Sequence, residues 1–249
     1  MAQKTIWITG GGTGIGRELA TLYAKDGHRV AISGRTAETL AETAEADPSR
    51  IHAVPADVTD PAAIDRAIAS IEAELGPIDL AILNAGTYSP LWVGDFNRDA
   101  FRKQIETNLL GVANALDPLL ERMRARRAGT IVLVSSVAGY SGLPGATAYG
   151  ASKAALINLA EALYSDARRH GIRIALVNPG FVRTPLTAQN DFPMPFLIDA
   201  DRAARIIHDG IAAGAFEIAF PRRFALLLKL ARRLPYSLYF ALTRRMLRE

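Results

Sequence analysis

The tightest constraint on the fold is a short apolar run, Thr5-Ile-Trp-Ile-Thr9, leading straight into Gly10-Gly11-Gly12-Thr13-Gly14-Ile15-Gly16. A helical pattern then continues to Asp26. Strand, glycine-rich turn and helix start, in that order, leave free N–H groups at the helix end, and the glycines let a ligand approach the main chain. The reading is an anion site facing a pyrophosphate; a plain tight turn is the competing one. The spacing is Gly-x-x-x-Gly-x-Gly rather than the Gly-x-Gly-x-x-Gly of many dinucleotide folds.

The same alternation continues along the chain. Strand patterns occupy residues 29–33, 51–56, 78–83, 130–134, 172–177 and 217–220, and helical patterns occupy 36–47, 62–75, 99–122, 148–169 and 200–213. Strands alternating with helices define the α/β class. A chain of 249 residues that is 49% hydrophobic suits one large domain of this kind. There is no cysteine, hence no disulfide framework and no thiolate metal site, and no metal is expected. Without a signal-peptide pattern or an apolar run long enough to span a bilayer, a cytoplasmic location is expected.

A second constellation follows the strand at 130–134. Ser136 stands at its carboxyl end, and Tyr149 and Lys153 are four residues apart at the start of the next helix, on one face. A phenol with a pKa near ~10 is a poor proton-transfer group at neutral pH. An ammonium at ~4 Å in an effective dielectric of ~20 favours the phenolate by up to ~4 kcal/mol, enough to lower that pKa by about three pH units. Tyr149 would then exchange a proton with an alcohol or carbonyl oxygen oriented by Ser136, with a hydride supplied by a cofactor.

Three further positions carry two readings each. Arg35, after Ser33 and Gly34, stands where an acid usually meets ribose hydroxyls; it either grips a 2′-phosphate or is a solvated arginine. Asp57, followed by Val58, lies beside an adenine or caps the helix after Pro61. Asn108, inside a helical pattern, bends the helix and anchors a water or bonds locally to backbone.

In sum of motifs, the chain resembles the short-chain dehydrogenases/reductases over roughly residues 4–220. The resemblance rests on Thr9-Gly10-x-x-x-Gly14-x-Gly16, Asp57-Val58, Asn84-Ala85-Gly86, Asn108, Ser136, Tyr149-x-x-x-Lys153 and Pro179-Gly180-x-Val182-x-Thr184. It implies a Rossmann-like, doubly wound parallel sheet of about seven strands, flanked by helices in a single domain and commonly assembled as a homodimer or homotetramer. It implies catalysis by Ser136, Tyr149 and Lys153, with Asn108 holding a water in a proton relay through Lys153. Cofactor contacts would come from Gly10, Thr13, Gly14, Ile15, Gly16, Arg35, Asp57, Val58, Asn84, Ala85, Gly86, Tyr149, Lys153, Pro179, Gly180, Val182 and Thr184. The activity implied is interconversion of a ketone or aldehyde with an alcohol; a non-catalytic dinucleotide sensor or scaffold on the same fold is the alternative. Arg35 and the missing acid favour NADP(H) over NAD(H). Two departures stand out: Leu83 where many members have asparagine, and Thr13 where some NADP-dependent members carry a base.

Apolar residues gather in the segments expected to form the substrate pocket: Leu91, Trp92, Val93, Leu143, Pro144, Phe181, Leu186, Phe192, Met194 and Phe196. They favour a small lipophilic carbonyl or alcohol, and the aperiodic stretch 186–200 reads as a lid. The helix after Tyr149 is apolar nearly all round, which suggests a partner subunit on one face. Residues 1–220 are read as the catalytic domain and 221–249 as a basic amphipathic helical extension. The extension carries eight basic residues and one acid, leaving the rest of the chain at −3, so the net +4 does not argue for nucleic-acid binding. Two uses fit the extension: packing over the lid or a partner subunit, or peripheral contact with anionic lipid.

Overall fold

The computed structural model describes residues 2–247; Arg248 and Glu249 of the extension lie outside the described residues. Among the described residues nine strands occur in chain order: β1 (Thr5–Thr9), β2 (Arg29–Ser33), β3 (Ile51–Ala53), β4 (Ile78–Leu83), β5 (Gly129–Val134), β6 (Ile172–Pro179), β7 (Val182–Arg183), β8 (Ile198–Asp199) and β9 (Glu217–Phe220). Seven form one parallel sheet in the order β3-β2-β1-β4-β5-β6-β9, and β7 pairs with β8 apart from it. The helices are α1 (Gly14–Lys25), α2 (Ala37–Ala44), α3 (Pro61–Leu75), α4 (Arg98–Ile105), α5 (Gly111–Arg126), α6 (Thr147–Arg169), α7 (Ala200–Ala212), α8 (Arg222–Ala231) and α9 (Tyr236–Thr243).

The strands are apolar on both faces because helices cover both. Alternate side chains point to opposite sides of a sheet. Trp7, Leu83, Ile131 and Leu176 therefore enter one core with residues of α3, α5 and α6. Ile6, Ile8, Ile82 and Val177 enter the other with residues of α1 and α7. A parallel sheet needs this double cover, and continuous apolar runs are its sequence mark.

The chain winds outward from β1 to β2 and β3, then returns to place β4 on the other side of β1. Registers level the strand ends there: Thr9 pairs with Ser33 on one side and Leu83 on the other. Ligands of open α/β sheets bind outside the carboxyl ends at such a switch.

Local chemistry adjusts several sequence expectations. β3 is three residues long, not six, yet Val54 and Ala56 still donate to Ile32 O and Gly34 O, so pairing with β2 continues past Pro55, whose missing N–H falls on the open edge of the sheet. The pattern at 99–122 resolves into α4 and α5 joined by a π-helical turn, Glu106–Leu110, with Asn108 inside it. The cap of α3 is Asp60, which accepts from Ala63 N at 3.1 Å; Asp57 instead takes the N–H and hydroxyl of Thr59, both at 2.9 Å. On α6 one face is buried in this chain, while Ala151, Ala154 and Ala162 are exposed.

The glycine turn is set by close approach. Gly10 has φ +68°, and a Cβ at Gly16 would lie 2.1 Å from Gly10 O. Gly16→Ala must therefore displace backbone, with an expected loss of about 1–3 kcal/mol. Urea unfolding of the purified variant checks this; an unchanged midpoint would refute the contact's role.

Candidate active site

Main-chain bonds first tie the strand ends together. Gly10 N and Gly11 N both donate to Ser33 O, at 2.7 and 3.1 Å. Ser33's hydroxyl accepts from the Trp7 indole at 2.9 Å, so this side chain serves the core. Thr9 Oγ1 accepts from Asn84 N and Ala85 N at 3.0 and 3.1 Å, and Asn84 Nδ2 returns to Thr9 O and Gly10 O. Asn84 thus clamps β1 to β4, and Ala85 and Gly86 line the gap between them.

That gap is an elongated cleft with two halves sharing Gly10, Thr13, Ala85 and Gly86. One half adds Gly14, Ile15, Asn84, Ser136, Tyr149, Lys153, Pro179, Gly180, Val182 and Thr184. The other adds Arg35, Asp57 and Val58, together with Gly12, Thr36 and Thr39. Every expected site residue lines the cleft except Gly16, packed under Gly10, and Asn108, which lies behind Gly86.

A dinucleotide fits this cleft on the chain's own geometry. Thr13 at the start of α1 makes no side-chain cap, leaving the first-turn N–H groups of a twelve-residue helix directed at the cleft. Gly12 has no room for a side chain, since a Cβ there would lie 2.5 Å from Thr39 Oγ1. Arg35 is exposed at the rim, with no hydrogen bond or ion pair to another described residue.

At the other end, Ser136 Oγ accepts from Ala138 N at 3.1 Å, donates to Pro179 O at 3.3 Å and meets the Tyr149 phenol. Tyr88 packs edge-on against Tyr149, ring centres 5.2 Å apart. Lys153 Nζ donates to Val134 O at 2.9 Å and lies 5.6 Å from the Tyr149 ring centre. Ser135 Oγ bonds Lys153 O at 2.7 Å, locking the first turns of α6 to the end of β5. Asn108 is fully buried: its Oδ1 accepts from Thr87 N at 2.7 Å, and its Nδ2 donates to Thr87 O and Ser152 Oγ.

The electrostatics correct one sequence expectation. Tyr149 is not lowered in this structure: burial raises its pKa, the Ser136 hydrogen bond opposes that, and Tyr88 adds to it. Lysine is the group that yields, with burial pushing Lys153 down to about 8. The reason is distance and partner: the ammonium bonds a backbone carbonyl rather than the phenol oxygen. Tyr149 is therefore held as a protonated phenol.

The apolar pocket residues divide. Val93 points fully into solvent and Leu91 is core, its N–H bonded to Gly145 O at 3.0 Å. Trp92 covers Gly145, and Leu186 lines the cleft. Phe181 packs on Phe192 and, with Phe196, on Phe224 of α8; the Phe196–Phe224 contact is the packing of the extension over the lid that the sequence offered as one of two uses, and none of these four rings lines the cleft. Tyr88, Ser135 and Ser152 were also missed, and Thr9 was read only as part of the glycine motif, not as the acceptor for Asn84 and Ala85. Only their neighbourhood to Asn84, Tyr149 and Lys153 could have suggested them.

Such a site moves a hydride and a proton at a carbon bearing oxygen, the work of a nicotinamide-dependent oxidoreductase. Comparison with known proteins agrees. The family model described as short chain dehydrogenase matches residues 4–193. An uncharacterized oxidoreductase of Myxococcus xanthus is 38% identical over 249 residues, covering 99% of this chain and 98% of its own. A short chain dehydrogenase/reductase of Burkholderia phymatum, solved with NAD, superposes with TM-score 0.85 at 24% identity over 92% of each chain. A variant of the actinorhodin polyketide ketoreductase, solved with NADPH, gives TM-score 0.78 at 26% identity, covering 88% of this chain and 95% of that one. This chain belongs to the short chain dehydrogenase family. It is an oxidoreductase acting on CH–OH or C=O groups with NAD(P), which sets aside a purely sensory role.

The Lys153 shift has a measurable sign. Folding lowers this pKa from 10.5 to about 8, so in that window the unfolded chain holds the extra proton and stability rises with pH. Wild type should gain up to about 3 kcal/mol relative to Lys153→Met between those pH values. Urea titrations across the window check it; parallel profiles for the two proteins would remove the buried charge as the cause.

Proposed function

We propose that the protein reduces a small lipophilic ketone or aldehyde with NADPH, and runs the reverse oxidation, with Tyr149 as proton donor and acceptor. The observation that carries this reading is that the Tyr149 phenol, the Ser136 hydroxyl and the Lys153 ammonium line one end of the dinucleotide cleft, with Lys153 Nζ 5.6 Å from the Tyr149 ring centre. A nicotinamide bound there supplies or accepts the hydride. Ser136 holds the substrate oxygen, and Tyr149 passes its proton to that oxygen or takes it back. The Lys153 ammonium, 5.6 Å from the ring, offsets the phenolate that this leaves. Asn108, its side chain fixed by Thr87 and Ser152 within the π turn, is the residue that would hold a relay water beside Lys153.

Three observations support the finer assignments. Arg35 lines the cleft without a partner among the described residues, next to Thr36 and Gly12, which leaves it free to meet a 2′-phosphate. Related folds are solved with either dinucleotide, so the preference for NADPH rests on Arg35 itself. Pro185 and Leu186 at the cleft, at the start of the segment on which Phe181, Phe192, Phe196 and Phe224 pack together, suit a lipophilic substrate. The uncovered alanines of α6 suit a second subunit, giving a homodimer or homotetramer.

Tyr149→Phe should lower kcat about 10²–10⁴-fold with dinucleotide affinity kept, because the ring still packs and only the proton is lost. Turnover of a ketone panel followed by NADPH absorbance, with parallel binding titrations, decides this; near wild-type kcat would end the mechanism. Arg35→Asp should weaken NADPH at least tenfold and leave NADH within about threefold, since a charge-assisted phosphate contact is lost. Wild type binding NADH more tightly than NADPH would overturn the cofactor assignment.

A further inference from the structure

Of the twelve large apolar side chains exposed among the described residues, eight lie between positions 226 and 247. On α8 the inward face is Phe224, Ala225 and Leu228, packed on the core, and the outward face is Leu226, Leu227 and Leu230, each more than half exposed. On α9 only Tyr239 is buried, its hydroxyl bonded to Ser141 Oγ at 3.1 Å and Gly142 O at 2.5 Å. Tyr236, Leu238 and Phe240 face water.

The charges on this surface are of one sign. Residues 222–247 contain seven basic side chains and no acid. Lys229 is committed inward, bonded to Glu217, which also takes the Tyr140 hydroxyl at 2.6 Å and the Asn178 amide at 2.9 Å. That tie pins the inner face of α8, so the leucines cannot turn into the core. The other six, Arg222, Arg223, Arg232, Arg233, Arg244 and Arg245, form no ion pair among the described residues.

We propose that α8 and α9 together form a docking surface for an anionic lipid bilayer. Charge complementarity selects this occupant. A second copy meeting the same patch about a two-fold axis would set arginine against arginine, whereas anionic headgroups accept the arginines and the interface accepts the leucines and aromatics. No helix among the described residues is long and apolar enough to cross a membrane, so the attachment lies in the interface plane. The same helices touch Phe181 and Phe196 through Phe224, and the Ser141–Gly142 loop through Tyr239, so docking brings the lid segment, whose Leu186 lines the cleft, toward the lipid as a route for an apolar substrate. That last step rests on the lipophilic substrate proposed above; the docking surface does not, and vesicles without substrate test it alone.

Co-sedimentation of the full chain with vesicles of phosphatidylglycerol and phosphatidylcholine, and with phosphatidylcholine alone, is the experiment. Wild type should bind the anionic vesicles at low salt and about tenfold less at high salt or without phosphatidylglycerol. Two variants remove one component each: Leu226→Ser with Leu227→Ser and Leu230→Ser, and Arg222→Gln with Arg223→Gln, Arg232→Gln and Arg233→Gln. Both alter exposed side chains, should keep dinucleotide binding, and should each lower vesicle binding about tenfold. Absence of binding to anionic vesicles, or binding that both variants retain, overturns the proposal. So does a wild-type oligomer that ignores vesicles and that the leucine variant dissociates in sedimentation velocity, because the patch then joins copies of this chain.

Discussion

One buried ammonium organises the working end of the molecule. Lys153 is only 4% exposed, and a charge so placed requires compensation. Val134 O supplies part of it from the end of β5, which fixes where α6 begins relative to the sheet. Ser135 reinforces the joint through Lys153 O. With the first turns of α6 held in this way, Tyr149 comes to Ser136, Ser152 comes to Asn108, and Lys153 Nζ lies beside Gly86, where a Cβ would be 3.6 Å from it and 3.4 Å from Asn108 Oδ1. Moving the lysine would loosen all of these contacts together.

The fold was legible because its chemistry is periodic. Apolar runs covered on both faces, separated by helical patterns, admit few arrangements other than a parallel sheet with crossovers. Turn by turn the sequence says less. Where β3 ends, and whether Asp57 or Asp60 caps α3, depends on backbone angles that composition does not carry. The candidate site was legible as a set of residues at strand ends, and the structure draws them to one cleft. Its electrostatics were not. The direction of the Tyr149 shift depends on whether the Lys153 ammonium faces the phenol or Val134 O, and a spacing of four residues is compatible with both.

The extension shows the same limit from another side. Its apolar and basic residues were evident in the sequence, but which of them face inward was not. Glu217 settles it by gathering Tyr140, Asn178 and Lys229 from three parts of the chain. The carboxylate stays below its ordinary range because these donors outweigh its burial, while burial and the bond to Glu217 push the Tyr140 phenol up. A strand end, the loop after Ser136 and α8 therefore share one polar joint.

The Asn84 clamp has a consequence for how the protein comes apart. It crosses the line where strand order reverses, joining β1 to β4 over 75 residues of sequence. The cleft likewise draws Gly10, Thr13 and Arg35 from one winding and Ser136, Lys153 and Thr184 from the other. A ligand bound across that line has no complete site in either half alone. Its binding free energy therefore opposes separation of the two windings as well as the unfolding of each. Occupancy then adds to the cooperativity that the continuous sheet and the Asn84 clamp already give, because the ligand is lost when either winding opens.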